Sequence, residues 1–219
     1  MKPSRIIVHA AILMAPLAVL GRLTVLARPN GIACVLAVLA LAEIEAASRS
    51  APDPSRAGAP GTGLALASGL GLLATAWAAI GFPSATPAGW VAPSAWLGAL
   101  LVIVGTALRA AAIRALGGAF TSEIVAPHAV VRRGIYGRMR HPSDVGLLLL
   151  AAGLASLGGS APAAIIAALV VAPSVLLRIA REDRALSLRH PTEHASYRHE
   201  VGLTGWQRLR PRAPILPTK

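Results

Sequence analysis

The sequence predicts an all-α integral membrane protein with about six transmembrane segments. The last two should form a helical hairpin with a polar pocket on its cytoplasmic side. The chain has 219 residues, of which 55% are hydrophobic and only 14% are charged, whereas a soluble domain carries about a quarter charged residues. Apolar blocks of membrane-spanning length recur along it. The net charge of +12 comes from basic residues at the ends of these blocks, where they contact anionic headgroups rather than nucleic acid.

The apolar blocks define the predicted spans in chain order. The first covers residues 6–27, and a retained helix is favoured over a cleaved secretory signal because Arg22 interrupts its end. The next three cover 31–47, 62–82 and 91–116. The last block, 145–179, is interrupted by GGSAP at 158–162. As one helix this block would be about 50 Å long, against a hydrocarbon core of roughly 30 Å. A turn between two short helices is therefore predicted.

The basic residues also predict the orientation. They collect before the first span, in the second and fourth connections and after Arg178, whereas 83–89 and the hairpin turn have none. Both termini and the pocket are therefore expected on the cytoplasmic side. The distribution of polar residues divides the chain into N-terminal transmembrane helices (1–104), a region with the hairpin in which polar groups concentrate (105–201) and a basic tail on the lipid headgroups (202–219).

Polar residues concentrate at the two cytoplasmic ends of the predicted hairpin. In RHPSD, Pro142 and Asp144 are typical of the first turn of a helix. After the hairpin, Glu182 and Asp183 follow Arg178. Taken separately, these are a capped helix and a solvated salt-bridge surface. Because the hairpin begins at His141 and returns at Arg178, its ends must be neighbours, so cations and carboxylates should converge at the lipid boundary. Such a pocket suits a zwitterionic, partly cationic ligand.

The combination GIYGRMRHPSDVG, helical hairpin, RIAREDRALSL and a downstream tyrosine resembles the isoprenylcysteine carboxyl methyltransferase family, which is related to membrane phospholipid N-methyltransferases. The resemblance covers 105–201, about half the chain, and the preceding stretches LRAAAIRALG and PHAVVRRG bring in Arg109 and His128. The residues that match the family motif are Gly134, Tyr136, Arg140, His141, Pro142, Gly146, Arg178, Glu182, Leu186 and Tyr197.

The resemblance implies S-adenosylmethionine as methyl donor, bound beneath a groove open to lipid, and it implies no metal. Glu182 and Asp183 can accept hydrogen bonds from the donor's ammonium and ribose hydroxyls, and His141 or helix-start amides can hold its carboxylate. The implied cofactor-binding residues are His128, Gly134, Tyr136, His141, Pro142, Glu182 and Asp183.

The methyl acceptor is expected to be lipophilic, with a carboxylate as its reactive group. A carboxylate is already an anionic nucleophile at neutral pH and needs alignment more than a base. Arg140 or Arg178 could orient it bidentately. Asp144 departs from the family, which has tyrosine there. It either adapts the site to an acceptor that must lose a proton, such as an amine, or only caps the helix. Arg140, Arg178 and Asp144 are therefore the candidate catalytic residues.

Two other functions stay open. The chain could be a phospholipid or other amine N-methyltransferase of the same fold. It could also be a non-catalytic scaffold or transporter, although transporters more often place ionisable groups near mid-membrane in both halves.

The sequence departs from the family motif at two further places. The family's Glu-Glu is Glu182-Asp183 here and its Phe-Gly is His190-Pro191. His190, His194 and His199 are interpreted as solvated surface histidines rather than metal ligands. Oligomeric state is left open.

Overall fold

The described part of the computed structural model is entirely helical. It comprises portions of 11–21 and the ranges 29–48, 62–83, 93–116 and 131–203, and no strand occurs within these residues. A short 3-10 turn spans Gly134–Gly137. The helices, in chain order, are α1 (Pro29–Ser48), α2 (Thr62–Gly81), α3 (Pro93–Leu116), α4 (Pro142–Gly158), α5 (Ala161–Arg189) and α6 (Pro191–Glu200).

Three of these helices are long and apolar enough to cross a membrane, namely α2, α3 and α5. Residues 31–40 of α1 and the whole of α4 form shorter apolar helices. The spans predicted at 62–82 and 91–116 are confirmed as helices to within two residues at either end. The span at 6–27 lies mostly outside the described residues, so the number six stays a prediction. Exposed Trp96, Ile103, Leu169 and Leu177 give α3 and α5 the apolar outer surface that lipid contact requires.

The predicted hairpin is confirmed, although its second helix is longer than expected. α4 ends at Gly158 and is followed by Gly159, whose φ of 58° is left-handed, as is common for glycine after a helix. The Ser160 side chain then caps α5 by accepting from the Ala163 N–H. The sequence GGSAP thus encodes both a helix end and a helix start. α5 continues for 29 residues instead of forming a short helix. It does so through a wide π-helical turn, Ala167–Val171, that precedes Pro173. Proline lacks the N–H that a regular helix would use there.

Glycines hold α3 and α4 in direct backbone contact. A Cβ atom built on Gly146 would lie 2.7 Å from the carbonyl oxygen of Gly105, and one on Gly153 would lie 2.8 Å from the Val102 nitrogen. Helices with such small residues at their interface approach closely in membranes. The contact places the start of α4 beside the cytoplasmic end predicted for α3. Elsewhere the core is aliphatic, and the Cys34 thiol is buried within it.

Candidate functional site

The imidazole of His141 connects the two ends of the hairpin. His141 is the N-cap residue of α4, but its side chain makes no capping bond. Its Nε2 lies 3.0 Å from Asp183 Oδ1. On the other side of the ring, Nδ1 lies 3.6 Å from Glu182 Oε2 and 3.9 Å from Asp144 Oδ2. The predicted convergence of the RHP segment with the acidic pair is therefore confirmed.

The surroundings of His141 favour its charged form. Burial disfavours the imidazolium, but the hydrogen bond to Asp183 and the nearby carboxylate of Glu182 outweigh this effect and raise the pKa of His141 to about 9. At neutral pH the ring therefore carries two N–H groups, both directed toward carboxylates of the protein. This geometry does not favour the predicted role of His141 in holding the carboxylate of a methyl donor.

Asp183 is the most heavily shared carboxylate of the site. Arg140 Nη1 donates to its Oδ2 at 3.0 Å, while its Oδ1 faces both His141 and, at 3.6 Å, Nε2 of His194. His194 is only 1% exposed. The interpretation of His194 as a solvated surface histidine is therefore wrong. It fails because α6 folds back against the site, so that His194 and Tyr197 form its buried side. His199 is exposed as predicted, and His190 is half-buried.

Asp144 occupies a buried position on the opposite side of His141. Its side chain is 4% exposed, and its Oδ1 lies 3.6 Å from Arg178 Nε. Neither of these two atoms has a hydrogen-bond partner. Among the described residues no α4 backbone N–H donates to the Asp144 side chain, so the helix-capping interpretation has no hydrogen bond to support it. The neighbouring Ser143 hydroxyl instead accepts from Arg109 Nη1 at 2.8 Å, which ties α3 to the start of α4.

Hydrogen bonds fix α6 over the segment that leads into α4. The Tyr197 hydroxyl donates to the Tyr136 carbonyl at 2.7 Å, and burial raises the pKa of Tyr197 to about 12, which keeps this donor protonated. Arg132 pairs with Glu200 at 3.0 Å and lies 5.4 Å from the centre of the Tyr197 ring. Just after α6, the Gly202 carbonyl accepts from the Arg140 N–H at 3.1 Å.

The structure brings most of the predicted site residues into one cluster, formed by Arg140, His141, Pro142, Asp144, Arg178, Glu182 and Asp183. Tyr136 lies close to this cluster. Burial and then the nearby carboxylates of Glu182 and Asp144 raise the pKa of its phenol. Gly134, with a φ of 60°, begins the turn that presents Tyr136. His128 lies outside the described residues. Sequence reasoning missed His194 and Ser143. The i,i+3 spacing of His194 and Tyr197 is the signal that could have indicated a shared buried face.

His141, Asp144 and Glu182 also offer potential metal-ligand atoms within 4.8 Å of one another. Their surroundings oppose a cation, since Arg178 lies 3.6 Å from Asp144 and a metal needs the neutral imidazole rather than its charged form. The expectation that no metal participates stays a prediction.

Residues 97–188 match the family model described as the isoprenylcysteine carboxyl methyltransferase (ICMT) family. The match covers 92 of the 219 residues, and over this region the chain resembles that family. The match runs from α3 through the hairpin to the acidic pair and ends before α6, so His194 and Tyr197 lie beyond it. The match indicates a methyltransferase associated with a membrane. No curated protein and no solved structure matches the chain.

Proposed function

We propose that the protein is an integral membrane methyltransferase that uses S-adenosylmethionine to methylate a lipophilic acceptor at the membrane–cytosol interface. The observation that carries the proposal is the contact of His141 with Asp183 at 3.0 Å and with Glu182 at 3.6 Å. It joins the RHP segment and the acidic pair into one charged cup beside apolar helices. The distribution of basic residues supports an orientation with the cup and both termini on the cytosolic side, in contact with membrane lipids.

The donor set of the cup fits S-adenosylmethionine. Buried polar atoms without a hydrogen-bond partner occur on Arg140, Asp144, Arg178 and His194. Such atoms are costly to leave unbonded, by about 1–3 kcal/mol each. A ligand with separate cationic and anionic groups would bond to them. When bound, S-adenosylmethionine supplies an activated methyl group on a sulfonium. Glu182, whose side chain is 33% exposed, is the carboxylate best placed to accept from its ammonium or hydroxyls.

A carboxylate acceptor is already nucleophilic, so the protein has to align it with the methyl donor and does not have to activate it. Arg178, 9% exposed near the apolar part of α5, would orient the carboxylate while the apolar helices hold the lipid tail. Alignment alone accounts for large rate increases in a displacement of this kind. This remains the first candidate for the acceptor class.

An amine is the second candidate, and the observation that favours it is Asp144. A buried carboxylate without a hydrogen bond would pair with an acceptor ammonium and take one proton from it. The nitrogen lone pair would then form the new N–C bond as the methyl–sulfur bond breaks, with that bond's electrons remaining on sulfur. Asp144→Asn should lower methylation of a long-chain primary amine by about 100-fold or more, but leave a prenylated cysteine carboxylate unaffected. If Asp144→Asn and the unaltered protein methylate each amine, thiol and carboxylate acceptor at the same rate, Asp144 takes no part in the chemistry.

Ligand binding separates these enzymatic functions from a scaffold or transporter. The purified protein in detergent should bind S-adenosylhomocysteine in a calorimetric titration. Glu182→Ala should abolish that binding because it removes an acceptor for the ligand's ammonium or hydroxyls. Glu193→Ala is the matched control, since Glu193 is a glutamate whose side chain is 43% exposed on α6. Absence of binding by the unaltered protein would favour the scaffold.

A further inference from the structure

The unbonded polar atoms of the site fall into two groups on opposite sides of the His141 ring. The first group comprises Arg140 Nε and both ring nitrogens of His194. Arg140 Nη1 and His194 Nε2 lie 3.0 and 3.6 Å from Asp183, which also contacts His141 Nε2. Asp144 Oδ1 and Arg178 Nε form the second group, which faces His141 Nδ1. Each group combines cationic or N–H donors with a carboxylate, so two separate polar ligand groups could be held.

The two groups also differ in their distance from the apolar part of α5. Asp183 follows Arg178 by five residues, a rise of about 7.5 Å along the helix. The Asp144–Arg178 group is therefore deeper along the apolar hairpin, whereas the Asp183 group lies under the polar helix α6. A lipophilic acceptor would approach the first group through lipid, and a water-soluble donor would approach the second.

We infer that His194, together with Arg140 and Asp183, binds the amino acid end of the methyl donor. The inference rests on the proposed function. A zwitterionic amino acid group needs N–H donors for its carboxylate and an acceptor for its ammonium. Arg140 and His194 provide the donors, and each lies within 3.6 Å of Asp183, which provides the acceptor. His141 is not available for the carboxylate, because its ring nitrogens face Asp183, Glu182 and Asp144.

The protonation state of His194 agrees with this role. Burial and the nearby arginines Arg198 and Arg140 lower the pKa of His194 against the opposing effect of Asp183. The ring is therefore neutral at pH 7 and offers one N–H donor and one lone-pair acceptor. Both buried ring nitrogens of His194 lack a hydrogen-bond partner in the protein, so a ligand could bond to them. The position of α6 is already fixed by Tyr197 and Arg132.

The test compares two ligands that differ only in the amino acid end. S-adenosylhomocysteine carries it, whereas 5′-methylthioadenosine has a methyl group in its place. His194→Phe preserves a buried ring but removes both nitrogens. Calorimetry on the full-length protein in detergent should give about a tenfold or greater loss of affinity for S-adenosylhomocysteine. Affinity for 5′-methylthioadenosine, measured directly or by competition, should not change. His199→Phe, on the exposed side of the same helix, should leave both affinities unchanged.

Two further variants keep the inference testable if phenylalanine disturbs the fold. His194→Gln retains an amide donor and acceptor of similar reach and should recover most of the S-adenosylhomocysteine affinity, whereas the shorter His194→Asn should not. The ratio of the two ligand affinities is read in each variant, since it does not depend on the folded fraction. An unchanged ratio in every His194 variant would overturn the inference while leaving the proposed function intact. Failure of the unaltered protein to bind either ligand would instead overturn the proposed function.

Discussion

Stability should depend on pH through His141 in a direction opposite to that of a typical buried histidine. Its pKa is raised from 6.5 to about 9 by its carboxylate partners, which corresponds to about 3 kcal/mol of stabilisation by protonation. The side chain is only 4% exposed, so solvent screening reduces this little. Below pH 6.5 the group is protonated whether the chain is folded or unfolded, and the stabilisation is complete. As the pH rises from 6.5 through 9, this stabilisation is lost.

The loss can be measured as a change in thermal unfolding of the detergent-solubilised protein between pH 6.5 and 9.5. For a chain of this size, about 3 kcal/mol corresponds to a lowering of the melting temperature by roughly 6–12 °C. His141→Gln removes the titrating ring, so its melting temperature should be lower at pH 6.5 and should change much less with pH. His199→Gln removes an exposed histidine and should retain the pH dependence of the unaltered protein. Parallel curves for His141→Gln and the unaltered protein would refute the assignment of a charged imidazole.

Two other predictions concern the supports of the site. Gly146→Ala should lower the free energy of unfolding by about 1–3 kcal/mol, because its Cβ would lie 2.7 Å from the Gly105 carbonyl oxygen. Gly63→Ala, where a Cβ meets nothing within 4 Å, is the control, and equal melting temperatures would contradict direct helix contact. Tyr197→Phe removes the hydrogen bond to the Tyr136 carbonyl, worth about 1 kcal/mol. Amide hydrogen exchange in α6 should accelerate, and unchanged exchange would show that this bond does not hold the helix.

The hairpin could be predicted from the sequence because its signals are local. Gly159 and Ser160 interrupt an apolar block too long for one membrane crossing, and Pro142 is typical of a helix start. Once the hairpin is predicted, chain connectivity alone requires His141 and Glu182 to be neighbours, as the structure confirms. The length of α5 was not predictable in the same way, since its final turns are polar and are supported by the site rather than by lipid.

The rest of the site depends on tertiary contacts without a local signal. His194 lies in a polar segment of exposed residues, and only the return of α6 over Asp183 buries it. For Asp144, position in the first turn indicated a cap as readily as a chemical role, and the two are distinguished only by the atoms around the carboxylate. The Arg109–Ser143 hydrogen bond likewise depends on how closely α3 and α4 approach. Small residues in the sequence indicate close packing but do not determine the distance between the two helices.

The wide turn at Ala167–Val171 determines the direction around the helix axis in which the later side chains of α5 point. A π-helical turn amounts to one additional residue in an otherwise regular helix, and each residue rotates the helix by about 100°. Deleting a single residue there would restore regular winding and swing Arg178 and the acidic pair about 100° around the helix axis, away from His141. A chain one residue shorter, with every polar side chain of the site still present, would therefore fail to assemble the cup.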